Sequence, residues 1–90
     1  MNNLNITNDV CKFLKNLPSK QAVQLYERIF QLGRTTEFSD VKHLAGYPGY
    51  FRIDQGEYRI IFKKENDVIL IPCVGKRNDD EVYKSFKRKQ

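Results

Sequence analysis

Two arginines separated by a turn signal, Arg52 and Arg59 in YFRIDQGEYRIIF, are the residues of this sequence best placed to meet an anion. Gln55-Gly56 lies between runs rich in aromatic and β-branched residues, the composition of a two-residue hairpin loop. With Gln55 and Gly56 as the loop, Asp54 pairs with Glu57, Ile53 with Tyr58, Arg52 with Arg59 and Phe51 with Ile60. Two guanidinium groups then stand directly opposite one another, an arrangement that destabilises a strand pair. At a separation of about 5 Å the repulsion is about 1 kcal/mol in water-like dielectric and about 3 kcal/mol at an effective dielectric of 20. A bound anion would reverse that sign. Two solvated arginines on an exposed face account for the pair equally well.

Other candidate groups are weaker. Gly75-Lys76-Arg77 places two more cations at the end of an apolar run, and Lys84, Lys87, Arg88 and Lys89 follow with no acid after Glu81. A basic run of this kind is ordinarily a solvated helix face. Asp79, Asp80 and Glu81 have the composition of a magnesium site, but just before Val82, Tyr83 and Phe86 they read more simply as an N-cap and first helical turn. His43 is the sole histidine and reads as a surface or capping residue rather than a general base. Cys11 and Cys73 each fall in or beside an apolar face, so neither a disulfide framework nor a zinc site is expected.

The elements that position these groups follow from spacing. Tyr50 to Val74 reads as a three-strand meander, with Glu65-Asn66 as its second turn and the last strand stopping at Gly75. Alternation puts Phe51, Ile53, Tyr58, Ile60, Phe62, Ile69, Ile71 and Cys73 on a core face, and Tyr50, Ile61, Val68 and Leu70 with the arginines on the other. Leu4 and Ile6 suggest a short first strand. Thr7 or Asn8 caps a helix carrying Val10, Phe13, Leu14 and Leu17, and Pro18 opens a second as its first residue. That helix carries Ala22, Leu25, Tyr26, Ile29, Phe30 and Leu32 on one side and ends at Gly33 as C-cap. Residues 34–49 form a structured connection. A final helix seats Val82 and Phe86 on Ile61, Leu70 and Val68. The expected fold is α+β, a helical hairpin packed on a small, mostly antiparallel sheet with a short C-terminal helix.

Ninety residues make a single domain, residues 1–90. A net charge of +5 favours polyanionic or acidic partners. The N-terminus lacks the regions of a signal peptide and Val68 to Val74 is too short to span a bilayer, so a cytoplasmic protein without membrane association is expected.

The stretches VKHLAGYPGYFRIDQGEYRIIF and VILIPCVGKRNDDEVY together resemble the RelE branch of the RelE/ParE superfamily, toxins of bacterial type II toxin-antitoxin pairs. The resemblance runs from Asn8 to about Tyr83. It implies a RelE-like fold and a ribosome-dependent, metal-independent endoribonuclease that cuts messenger RNA in the ribosomal A site, with no cofactor. It places Arg59, Arg77 and Tyr83 on catalytic positions. Arg52 stands where lysine is typical, and Asp54 departs from the family pattern, again at a lysine position. Either Asp54 serves as general base or it only pairs with arginine; the first is the expectation.

Lys76, Lys84, Lys87 and Arg88 are expected to contact RNA or the ribosome. The implied partners are a cognate antitoxin with an acidic, partly disordered segment, the ribosome with its rRNA, and mRNA. Two rival readings are a ParE-like, non-enzymatic gyrase poison, which generally lacks the Arg59, Arg77 and Tyr83 set, and a degenerate module binding antitoxin or nucleic acid.

Overall fold

The structure is a computed structural model that describes residues 3–78 and 81–88. In chain order the elements are β1 (Asn3–Ile6), α1 (Asn8–Lys15), α2 (Ser19–Arg34), β2 (Lys42–His43), β3 (Tyr50–Gln55), β4 (Tyr58–Glu65), β5 (Val68–Lys76) and α3 (Glu81–Arg88). The strands form one sheet in the order β1-β5-β4-β3-β2. β1 runs parallel to β5 and the other pairs are antiparallel. No helix among the described residues is long and apolar enough to cross a membrane.

Thr7 ties the first strand to the first helix. Its hydroxyl accepts the Val10 N–H at 3.4 Å as N-cap, with Asp9 in the first turn, and it also donates to the Pro72 carbonyl. Pro18 occupies the N-cap of α2 rather than its first position, and the helix starts at Ser19. Leu25, Ile29 and Leu32 are buried, whereas Phe30, expected on that face, is 58% exposed. Ile29 and Phe30 are about 100° apart on a helix of 3.6 residues per turn, so once Ile29 faces the sheet Phe30 turns out and stacks on Tyr26. Gly33 does not cap this helix, which continues to Arg34. A Cβ at Gly33 would lie 3.0 Å from Leu4 Cγ, so the glycine admits β1 against α2.

The meander forms, but its pairing differs from the expectation. Asp54 faces Arg59, Gln55 faces Tyr58 and Arg52 faces Ile61, so the loop is Gly56-Glu57. Gly56 has φ +60 and takes the first loop position, where a positive φ favours glycine. The shift is two residues, so each side chain keeps its face. The second turn is Asn66-Asp67, with Asn66 at φ 54. Between Ile61 and Lys63 the β4–β5 register slips by one residue opposite Pro72, which has no N–H for the ladder. That slip reverses the alternation of β5, so Cys73 lies on the opposite face from the one expected and Val74 joins the core. The strand runs on through Gly75 to Lys76.

Two apolar clusters result. Val10, Leu14, Leu25, Ile29 and Leu32 from α1 and α2 pack with Ile53, Ile60, Phe62, Ile69, Ile71 and Val74 on one face of the sheet. On the other face, Val82 and Phe86 of α3 pack with Leu44, Ile61 and Cys73, joined by Tyr47, Tyr50 and Tyr83. Leu70 and Val68 are not part of that seat; the slip at Pro72 supplies Cys73 in their place. Phe86 is fully buried edge-on to Tyr47 and Tyr50, at centroid distances of 4.9 and 5.0 Å. Asp79 and Asp80, expected to start this helix, lie outside the described residues.

Candidate active site

α3 covers only part of its face of the sheet, and the charged groups gather beside it. Asp54 and Arg59 are cross-strand partners. Asp54 accepts from Arg59 Nε at 2.7 Å and from Arg59 Nη2 at 3.2 Å, two bonds from one guanidinium edge. The remaining nitrogen, Nη1, donates to the Tyr83 hydroxyl, and the guanidinium carbon lies 5.6 Å from the Tyr83 ring centroid. Arg77 approaches the same carboxylate, Nη1 to Oδ2 at 3.6 Å, and its backbone N–H is anchored on the Glu57 carbonyl at 3.0 Å. Arg52 sits two residues from Asp54 on β3 and acts on it through charge alone.

The sequence-predicted set Arg52, Asp54, Arg59, Arg77 and Tyr83 is therefore brought together in one place. The hydrogen bond from Arg59 holds the Asp54 carboxyl below its ordinary value against the opposing effect of burial, and the charges of Arg59, Arg77 and Arg52 add to the lowering. The same bond raises Arg59 above the usual arginine range. Three guanidinium groups against one carboxylate leave the cluster with a surplus of two positive charges (3 − 1 = 2). Arg59 is largely shielded and Arg77 is about half exposed, with side-chain exposures of 15% and 45%. Such a cluster suits an anion arriving from solvent.

Gly75 explains how Tyr83 reaches Arg59. It stands across the ladder from Arg59, and a Cβ there would lie 3.1 Å from Val82 Cβ and 3.2 Å from Val82 Cα. The missing side chain lets the first turn of α3 rest directly on β5. The Cys73 thiol donates to the Val82 carbonyl at 3.4 Å, fastening the same turn. Both contacts depend on the register change at Pro72.

The cations expected to bind RNA or the ribosome are not in this cluster. Lys76, Lys84, Lys87 and Arg88 line a groove of about 880 Å³ whose apolar wall includes Phe13 and Leu17, and none of the five clustered residues lines it. Among the described residues β1 pairs only with Val68 to Ile71, so the later half of β5 has no described strand beside it there. His43 packs on Phe51 with the rings tilted by 39° and their centroids 4.9 Å apart, on the face away from the arginines. Its neighbour Lys42 faces Arg52 across the ladder and was not singled out from the sequence. A two-residue strand has too few positions to show a period.

No family model matches the chain, and no curated protein matches it. Solved structures do. The isolated RelE toxin of Escherichia coli superposes with a TM-score of 0.74 at 23% identity, covering 100% of each chain. The RelBE2 toxin-antitoxin complex from Mycobacterium tuberculosis gives 0.72 at 21% identity over 87% of this chain and 93% of that one. The RelB-RelE antitoxin-toxin complex from Methanococcus jannaschii gives 0.66 at 26% identity over 91% and 98%. With five strands in a mixed sheet and three helices among the described residues, the chain has the RelE-like α+β fold over nearly its whole length.

Proposed function

We propose that this protein is the toxin of a type II toxin-antitoxin pair, a ribosome-dependent, metal-independent endoribonuclease that cuts messenger RNA in the ribosomal A site. The observation that carries the reading is the convergence of Arg52, Arg59 and Arg77 around a single carboxylate, with Tyr83 bonded to Arg59, on a RelE-like fold. In this reading α1 and α2 serve as the helical hairpin that backs the sheet. The antitoxin partner rests on neighbours that were solved as complexes with RelB. Lys76, Lys84, Lys87 and Arg88 would meet rRNA or mRNA.

The chemistry fits the residues. Attack by a ribose 2′-oxygen on the adjacent phosphorus expels the 5′-oxygen and builds negative charge on a pentacoordinate phosphate. Guanidinium groups fixed on strands meet that charge without reorganising, and one preorganised donor is worth about 3 to 4 kcal/mol. Tyr83 offers an aromatic face to a nucleobase. Asp54 at rest is a poor base, because a general base works best with a pKa near the working pH and Arg59 lowers this one. A phosphate that takes over Arg59 removes the largest lowering influence and adds its own negative charge, and both changes raise the carboxyl toward a competent base. Asp54 thus acts as a base held in reserve until substrate arrives.

Incubating the purified protein with programmed ribosomes and mapping new 5′ ends tests the reading. Cleavage within A-site codons that persists in chelator, with naked RNA cut poorly, is the expected result. Intact messages, or cleavage abolished by chelator, would overturn it. Inhibition of gyrase without RNA cleavage would point to the ParE-like reading.

A further inference from the structure

The shortest strand of the sheet sets one cation directly opposite another. β2 consists of Lys42 and His43 at the sheet edge, with Lys42 directly opposite Arg52 and His43 opposite Phe51. Opposed residues of an antiparallel pair share a face, so Lys42 belongs to the face of Arg52, Asp54 and Arg59. Its direction is fixed from both sides. His43 is packed on Phe51 beneath, and Leu44 is buried with its N–H on the Tyr50 carbonyl at 2.9 Å.

Two cations directly across a ladder repel one another. Among the described residues neither Lys42 nor Arg52 makes a hydrogen bond or an ion pair with an acid. The nearest carboxylate along β3, that of Asp54, is occupied by Arg59 and Arg77. The pairing of Arg52 with Arg59 expected from the sequence does not form; the like-charged pair across the ladder is Lys42 and Arg52, one strand over. An isolated sheet gains nothing from it, and a bound anion would turn its repulsion into attraction.

We infer that Lys42 and Arg52 form a second phosphate subsite, for the backbone phosphodiester of single-stranded RNA next to the one bound by Arg59 and Arg77. Lys42 is exposed and open to solvent. Two residues of strand rise, about 7 Å, separate the Arg52 and Asp54 positions along β3, the scale of one nucleotide step. The inference rests on the proposed nuclease reading for its ligand, and its test is independent of cleavage.

The probe is a short single-stranded RNA made uncleavable by 2′-O-methylation, titrated onto the whole purified chain without ribosomes at several salt concentrations. For single strands the logarithm of affinity falls with the logarithm of salt by about 0.7 per phosphate neutralised. Lys42→Gln should lower that slope by about 0.7 and melt no lower than wild type when no RNA is present. Lys42→Arg should keep the slope. Lys12→Gln, an equal charge loss at an exposed position on α1, should also keep it. Equal slopes for wild type and Lys42→Gln, the same loss in Lys12→Gln, or no binding by wild type at low salt would overturn the subsite. A slope change beside uncut programmed ribosomes would retain the subsite and remove the nuclease reading; cleavage without a slope change would do the reverse.

Discussion

Asp54 and Arg59 face one another across the β3–β4 ladder, and the carboxylate engages both Nε and Nη2 of the guanidinium. This contact occupies the face of Arg59 that a phosphate would use, while Tyr83 secures the opposite nitrogen. The protein's own carboxylate thus fills the position on Arg59 that an incoming anion would take.

Asp54→Asn removes the proposed base while keeping the shape of the side chain. The single-turnover rate of ribosome-dependent cleavage should fall by about 10² to 10⁴, the usual span for losing general acid-base help. An Asn variant at or above the wild-type rate would show that the carboxylate serves only to offset arginine charge. Asp54→Lys, measured alongside, would then be the more active enzyme.

The same pair gives stability a pH dependence of definite sign. A carboxyl whose folded pKa lies below its unfolded value of about 3.8 stabilises fully above that value, and the contribution is lost as pH falls through the lowered folded pKa. The stability difference between wild type and Asp54→Asn, from urea melts, should be flat between about pH 7 and 5 and shrink below about pH 4. A difference unchanged down to about pH 3 would mean that the ion pair contributes nothing measurable.

Arg77 lies in the segment after β5 with its side chain about half exposed. Arg77→Ala should abolish growth inhibition while changing stability by no more than about 1 kcal/mol. Growth assays and thermal melts on the same variant separate the outcomes: surviving toxicity removes Arg77 from the site, and a large loss of stability makes it structural.

Gly75→Ala addresses the seat of α3. The added methyl meets Val82 side chain and backbone at little over 3 Å, so the first turn of α3 must give by a few tenths of an ångström, at a cost of about 1 to 3 kcal/mol. Cleavage should drop although every charged group is intact, because Tyr83 moves with the helix. A variant with wild-type activity and stability would show that α3 tolerates displacement and that the Arg59–Tyr83 bond is dispensable.

How much of this was legible in the sequence depended on which periodicity had room to show itself. The core face of β3 and β4 was readable because Phe51, Ile53, Tyr58, Ile60 and Phe62 alternate over a long enough run. The pairing was not, since Gln55-Gly56 and Gly56-Glu57 are both acceptable loops, one position apart, and their pairings differ by two residues, which alternation cannot detect. Cys73 was misplaced because the slip at Pro72 changes parity within β5, and the sign of it was a proline inside an otherwise central strand. Phe30 departs from the expected face because it follows Ile29 by one residue, about 100° around the helix. The arginine cluster was visible as residue types in order, but Lys42 was hidden, since its place depends on the pairing of two residues at an edge.

The hairpin that carries Asp54 and Arg59 has a near twin. Sliding β3 against β4 by two residues leaves every apolar side chain on its own face, so burial barely distinguishes the two arrangements. Only the polar face does: one alignment sets a carboxylate before Arg59, the other sets Arg52 there. The Asp54–Arg59 contact therefore also favours the observed pairing over the slipped one. Asp54→Asn leaves a hydrogen-bond acceptor before Arg59 in the observed alignment, whereas Asp54→Lys would set two cations face to face in either one.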